Sequence, residues 1–124
     1  MAALGVAGCE GEVNGALGTG NWGGTGVTMV VSSAGTSFEF DCAHGFVDDR
    51  LATRGSRFSM EGRYVREHGG PDAEGSEEEP VAAFFEGEIR GATMSLYVRP
   101  LDTNEPIGPY LLERGSQGLI RKCL

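Results

Sequence analysis

The segment FEFDCAHG (38–45) places a thiol and an imidazole two residues apart. Side chains alternate between the two faces of a strand, so Phe38 and Phe40 share one face. The same alternation predicts that Cys42 and His44 also lie on that apolar face. A thiol and an imidazole held together there could form a metal site, a nucleophile with its base, or part of a disulfide.

Three chemistries compete for Cys42. A tetrahedral zinc site would use Cys42, His44 and Cys123, with His68 as the fourth ligand, although this spacing is not that of a tight metal motif. A nucleophile would require a free, partly exposed Cys42 thiolate activated by His44. A disulfide would join Cys42 to Cys123 and would close a loop of about 80 residues in an exported protein. We predict the disulfide, and no metal site or cofactor.

The composition indicates a single folded domain that is rich in turns. The chain has 124 residues, of which 40% are hydrophobic and 21 are glycine, and its formal net charge is −8. One lysine and nine arginines in an acidic chain do not supply the clustered positive charge that nucleic-acid binding requires. No apolar stretch reaches the length of a membrane helix. We therefore expect no nucleic-acid partner.

Short alternating apolar runs separated by turn residues predict strands along most of the chain. Eight strands are predicted, at 25–32, 37–42, 45–52, 57–68, 81–89, 92–98, 107–114 and 119–124. Short connections favour pairing between consecutive antiparallel strands, and eight such strands are enough to close a small barrel. The predicted fold is all-β, a single eight-stranded antiparallel up-and-down β-barrel, with a two-sheet sandwich as the alternative.

The amino-terminal residues resemble a bacterial lipobox. In LGVAGCE (4–10), small residues precede Cys9, which would carry the lipid. A polar, glycine-rich stretch at 10–20 is typical of a tether. We therefore predict a lipobox-like segment and tether at 1–19 and a barrel domain at 20–124. The expected location is the cell envelope, periplasmic or on the outer surface, with the lipid on Cys9 as the membrane attachment.

The sequence GNW (20–22), just before the first predicted strand, resembles the Gly-x-Trp signature of the calycin superfamily. That superfamily includes the avidins, the lipocalins and barrel-shaped bacterial protease inhibitors. The resemblance implies that Trp22 closes one end of the barrel and that a basic residue of the last strand packs across its ring, which by position is Arg121. Trp22 is the only tryptophan, so the internal tryptophans of the biotin binders have no counterpart.

A second resemblance rests on short motifs. DCAHG, REHGGP and the terminal KCL resemble a group of bacterial secreted lipoproteins of unknown function. This resemblance implies export but does not imply any activity.

Side-chain parity predicts that the chemically active residues share the barrel interior. Tyr64, Arg66 and His68 have the same parity on the fourth predicted strand. The residues predicted to line the interior are Cys42, His44, Tyr64, Arg66, His68, Arg121 and Cys123. The predicted ligand-binding residues are His44, Tyr64, Arg66 and His68. A buried arginine requires a carboxylate from the protein or from a ligand, so we expect a pocket suited to a small anion.

Three classes of function fit these expectations. The first is a secreted or lipid-anchored barrel that binds a small molecule or a partner in or at the mouth of the barrel, without catalysis. The second is a protein-binding module of the periplasmic protease-inhibitor type. The third is an enzyme that uses Glu67 or His68 as a general base. An interior filled with side chains would favour the second class over the first.

Overall fold

The structure is a computed structural model that describes residues 15–67 and 79–123. These residues form strands, turns and loops, and no helix among them has the length and apolarity to cross a membrane. The strands are β1 (Gly15–Ala16), β2 (Gly20–Gly24), β3 (Val27–Ser32), β4 (Gly35–Phe40), β5 (Ala43–Val47), β6 (Ala52–Thr53), β7 (Arg57–Arg66), β8 (Val81–Arg90), β9 (Thr93–Pro100) and β10 (Ile107–Arg114). The predicted lipid site Cys9 and the predicted ligand residue His68 lie outside the described residues.

Eight strands close into a barrel in the order β10-β2-β3-β4-β5-β7-β8-β9. Every neighbouring pair is antiparallel, and short connections place consecutive strands side by side. The remaining two strands, β1 and β6, pair with each other. The predicted all-β, eight-stranded antiparallel barrel is therefore confirmed, and it is consistent with a calycin-like fold.

The prediction was wrong about which segments supply the first and last barrel strands. The barrel begins with β2, the segment GNWGG, which pairs with β3 after a turn at Thr25 and Gly26. Three of the five residues of β2 are glycine, so it lacks the apolar alternation by which strands are recognised. The predicted strand 119–124 is not part of the barrel. Residues 115–123, which we call the strap, contact β2 at 115–119 and the turn between β4 and β5 at 121–123, and a bridge pairs Leu119 with Thr25.

Side chains fill the barrel interior. Alternate residues of the barrel strands point inward, and the phenyl rings of Phe38 and Phe85 stack in the centre with their centroids 4.3 Å apart. Around them lies a continuous apolar cluster whose largest fully buried members include Trp22, Met29, Phe40, Leu96, Leu112 and Val98. An eight-stranded barrel is narrow enough for side chains to occupy its interior completely, and this chain uses that space for its core.

Trp22 is a buried member of the barrel core, and its cationic partner is not the predicted one. The indole is buried, and the guanidinium of Arg114 lies 4.9 Å from the ring centroid. Arg114 is the last residue of β10 and is directly opposite Trp22 in the β2–β10 register. Arg121 lies on the strap and is exposed, and its backbone N–H donates to Asp41 Oδ1 at 2.8 Å. The predicted pairing with Arg121 is wrong because the last barrel strand is β10.

The strap reinforces the join between β2 and β10. These two strands are in register over only two residue pairs, Glu113 with Gly23 and Arg114 with Trp22. Beyond these two pairs, Leu119 of the strap provides the backbone hydrogen bonds: its N–H donates to Gly24 O at 3.0 Å, and its carbonyl accepts from Gly26 N at 2.9 Å.

Close approach of the strap to β2 depends on glycine. A Cβ added at Gly23 would overlap backbone atoms of Ser116, Gln117 and Gly118, and one added at Gly118 would overlap Val27 and Thr28. Only hydrogen at Gly23 lets the strap contact β2, and only hydrogen at Gly118 lets it contact the start of β3.

Replacing Arg114 with glutamine should destabilise the barrel, because it removes the cation over Trp22. We expect Arg114→Gln to lower the free energy of unfolding by about 0.5–1 kcal/mol. The matched variant Arg121→Gln should change it by less than about 0.5 kcal/mol. Urea unfolding followed by the fluorescence of the single tryptophan measures both. A larger loss of stability in Arg121→Gln than in Arg114→Gln would support Arg121, and not Arg114, as the cation that packs on Trp22.

Candidate functional site

A disulfide joins the strap to the barrel. Cys42, in the turn between β4 and β5, is bonded to Cys123 near the end of the strap, with the two Cα atoms 5.2 Å apart. The predicted pairing is confirmed. Because each sulfur is bonded to the other, neither is a free thiolate for zinc or for nucleophilic attack. Within the described residues, no group of three or more His, Cys, Asp or Glu side chains is placed to hold a metal ion.

His44 lies on the outside of the barrel, so its predicted interior position is wrong. Asp41 and Cys42 form a two-residue turn, and the chain returns with Ala43 opposite Phe40. The turn thus resets the alternation, so Ala43 is buried inside while His44 points outward, opposite Glu39 on β4. The imidazole is 45% exposed.

His44 and the strap meet at the carboxylate of Glu67. His44 Nδ1 lies 2.6 Å from Glu67 Oε2. From the strap, Lys122 Nζ donates to both oxygens of the same carboxylate, at 2.9 and 3.0 Å. It also lies 2.7 Å from Glu39 Oε1. We call His44, Glu67, Lys122 and Glu39 the lysine cluster.

Backbone carbonyls complete the contacts of Lys122. Its ammonium donates to Phe40 O at 3.0 Å and Ala43 O at 3.3 Å, on either side of the disulfide-bearing turn. The only lysine of the chain therefore fixes the strap to the turn that carries Cys42.

Contacts within the lysine cluster shift the pKa values of Glu67 and Lys122. Partial burial would raise the pKa of Glu67, but hydrogen bonds from His44 and Lys122 outweigh it and hold that pKa below its ordinary value. For Lys122, partial burial would lower the pKa, but hydrogen bonds to Glu39 and Glu67 outweigh it and raise the pKa. Both shifts favour the charged forms, so Glu67 and Lys122 form an ion pair at neutral pH.

Tyr64 and Arg66 lie at the disulfide end of the barrel. Tyr64 is buried, with its ring edge-on to Phe40 at 6.0 Å between centroids, and burial raises its pKa. The Arg66 guanidinium lies 5.6 Å from the Tyr64 ring centroid. It donates two hydrogen bonds to the carboxylate of Asp102, at 3.0 and 3.2 Å. The carboxylate expected to face Arg66 is therefore supplied by the protein.

The three predicted ligand residues that the structure describes are not brought together in one interior pocket. Tyr64 faces inward, His44 faces outward on a different strand, and Arg66 is partly exposed and paired with Asp102. Phe40 and Tyr110, whose ring centroids are 4.9 Å apart, fill the space beside Tyr64.

A groove that the sequence did not predict lies between β10 and the strap. Leu111 on β10 and Leu119 on the strap are its most exposed apolar residues, at 69% and 72%. Its volume is about 580 Å³. The lining residues are Gly23, Gly24, Thr25, Glu88, Arg90, Thr93, Met94, Ser95, Leu111, Leu112, Glu113, Ser116, Gln117 and Leu119. We call it the strap groove.

One sequence signal for the strap groove was available. Leu111 and Leu112 are consecutive in β10, so alternation requires one of them to face outward. Leu112 is buried and Leu111 is exposed. The outer wall formed by the strap could not be expected, since residues 119–124 were predicted to be a barrel strand.

None of the protein-family models, curated proteins or solved structures compared with this chain matches it.

The disulfide should carry a large part of the stability. The bonded cysteines are 81 residues apart in sequence, and a loop of that length restricts the unfolded chain strongly. We expect Cys42→Ser combined with Cys123→Ser to lower the free energy of unfolding by about 2–5 kcal/mol. Cys9→Ser should leave it unchanged. The parent protein should gain the mass of two hydrogens on reduction. An unchanged mass, or equal stability of all three proteins, would contradict this.

Glu67 should make stability depend on acid pH. Its folded-state pKa is lowered, so its contribution is present above the ordinary value of 4.5 and is lost as the pH falls through the folded pKa. The stability difference between the parent and Glu67→Gln should be largest near neutral pH and shrink below pH 4.5. In a Lys122→Gln background the same difference should be smaller at neutral pH, since one donor is gone. Urea unfolding across this pH range provides the measurement. A stability difference between the parent and Glu67→Gln that does not change with pH would show that His44 and Lys122 do not lower the pKa of Glu67.

Proposed function

We propose that this chain is an exported binding module that recognises a partner polypeptide on its outer surface, in the strap groove. One observation carries the proposal: Leu111 and Leu119, the two most exposed large apolar side chains among the described residues, line the same groove while the barrel interior is filled. Exposed apolar side chains are common singly, but two of them on one concave surface are typical of a binding site.

The filled interior supports binding on the outside. Phe38 and Phe85 stack across the centre, and Phe40, Tyr64 and Tyr110 occupy the disulfide end. A small ligand inside would have to displace this core, which makes an interior site the weaker candidate. A filled barrel agrees better with a protein-binding module, the class to which barrel-shaped protease inhibitors belong.

The disulfide supports the exported location. Disulfides persist in oxidising compartments and are rare in the cytosol, and this one ties two distant parts of the chain together. Attachment to a membrane through a lipid on Cys9 is part of the same proposal, and Cys9 lies outside the described residues.

The charges around the strap groove suggest the chemistry of the partner. Glu113 and Glu88 line it, together with Arg90, whose guanidinium lies 3.4 Å from Glu88. Glu113 accepts a hydrogen bond from Ser116 Oγ at 3.4 Å, and no described cation forms an ion pair with it. The whole chain carries a formal charge of −8. A complementary partner segment has an apolar side chain for the leucines and an adjacent lysine or arginine for the acidic edge.

Leu111→Ser should abolish most of this binding. The probe is a fluorescein-labelled peptide with a central leucine flanked by lysines, compared with the same peptide flanked by glutamates. We expect the oxidised protein to prefer the lysine peptide and Leu111→Ser to weaken binding about tenfold or more, since burying one leucine is worth about 1.5–3 kcal/mol. Fluorescence anisotropy measures both affinities.

Val30→Ser is the matched control for this experiment. Val30 is an exposed apolar residue on the outer face of β3 and does not line the groove. Its replacement should leave the affinity unchanged. Absence of binding to either peptide, or an equal loss in both variants, would contradict a partner site in the strap groove.

A further inference from the structure

We infer that the strap is a redox-releasable wall of the strap groove. Reduction of the Cys42–Cys123 disulfide by a dithiol would free residues 115–123 from the barrel and remove the side of the groove that contains Ser116, Gln117 and Leu119. As regulation of binding, this inference rests on the proposed function.

The strap adds little to the barrel core. Each of residues 115–123 is described, and none is buried. Of its two large apolar side chains, Leu119 is 72% exposed and lines the groove, and Ile120 is partly exposed. A segment with few buried apolar contacts and mostly exposed hydrogen bonds opens locally at a lower free energy than the rest of the fold.

A small number of polar contacts hold the strap besides the disulfide. Backbone hydrogen bonds join Leu119 to Gly24 and Gly26, and Asp41 receives the Arg121 N–H on Oδ1 and the Cys123 N–H on its carbonyl. At the other end of the strap, the Gly115 N–H donates to Asn21 O at 2.7 Å, and Asn21 Nδ2 donates to Ser116 O at 3.1 Å. The disulfide is the covalent contact in this set.

Lys122 provides the charged contacts of the strap, and they are exposed to solvent. Its side chain is 40% exposed, and the partner carboxylates of Glu39 and Glu67 are 54% and 24% exposed. The strength of such pairs falls with increasing salt. Once the disulfide is open, the remaining attachment of the strap is therefore weak and sensitive to salt. With the disulfide closed, the end of the strap cannot leave whatever the salt concentration.

The disulfide is accessible for reduction. Cys42 is exposed in the β4–β5 turn, whereas Cys123 is partly covered. A thiolate of the dithiol attacks Cys42 Sγ, and Cys123 leaves as a thiolate. The second thiol of the reductant then resolves the mixed disulfide. Two electrons and two protons pass to the cysteines, and the dithiol becomes a disulfide.

Removing the strap would alter the groove without removing the core. Leu111 and Glu113 stay on β10, which keeps its pairing with β9, but the wall opposite Leu111 is lost. A partner side chain held between Leu111 and Leu119 would then contact one leucine instead of two. Reduction should weaken partner binding in a protein that is still folded.

Amide hydrogen exchange of the full chain tests the releasable strap. We compare the oxidised protein, the protein reduced with dithiothreitol, and the Cys42→Ser, Cys123→Ser double variant. In the last two, the Leu119 and Gly26 amides should exchange by local opening, at least tenfold faster than the core amides of Met29 and Phe85, and faster again at high salt, while the core amides keep the protection that the remaining global stability gives them. Exchange of the Leu119 amide that is unchanged, or as slow as that of the core amides in the reduced protein, would overturn the inference.

Binding of the lysine-flanked leucine peptide, measured in parallel, separates this inference from the proposed function. Accelerated strap exchange together with at least tenfold weaker peptide binding on reduction supports both. Accelerated strap exchange without peptide binding to the oxidised protein contradicts the proposed function and supports the releasable strap. Slow strap exchange in the reduced protein with peptide binding retained overturns the releasable strap alone.

Discussion

The barrel depends on how the short join between β2 and β10 is held closed. Adjacent strands elsewhere align over longer stretches, such as the eight residue pairs between β7 and β8, but β2 and β10 align over two. A closed barrel leaves no free sheet edge, so a weak join exposes unpaired backbone of both strands. The hydrogen bonds of Leu119 to Gly24 and Gly26 extend the backbone pairing of β2 beyond the two residue pairs that are in register with β10.

The features with functional interest follow from this join. Arg114 covers Trp22 at one end of it, and the disulfide fixes the strap at the other. Between them, the outer surface of β10 and the strap form the groove that contains Leu111 and Leu119. The same segment therefore supports the barrel and forms the candidate binding surface, while the apolar core fills the interior.

Alternation and turn chemistry predicted an all-β barrel because they depend on residue types in short segments. The count of eight strands is correct although it included residues 119–124 and missed β2. The disulfide was predicted from the two cysteines that remain in an exported chain once Cys9 is assigned to a lipid. The predicted side-chain directions and strand positions were wrong where a local feature interrupted the alternation of the chain. The turn at Asp41 and Cys42 reset the alternation, which moved His44 to the outside. The glycine-rich segment of β2 was not predicted as a strand because it lacks apolar alternation. Its glycines allow close approach of the strap, a tertiary contact that the local sequence does not reveal. The strap groove combines two segments far apart in sequence, so only the folded chain reveals it.

The free energy of unfolding of Gly23→Ala, with the disulfide intact, tests the central claim most directly. The added methyl group would overlap the backbone of residues 116–118 and push the strap away from β2. The claim that the strap holds the join closed predicts a loss of about 1–3 kcal/mol, the usual cost of inserting a methyl group into a packed site. Gly18→Ala, where the added Cβ would meet no atom within 4 Å, should leave stability within about 0.5 kcal/mol of the parent. Equal stability of Gly23→Ala and Gly18→Ala would show that the barrel closes without the strap.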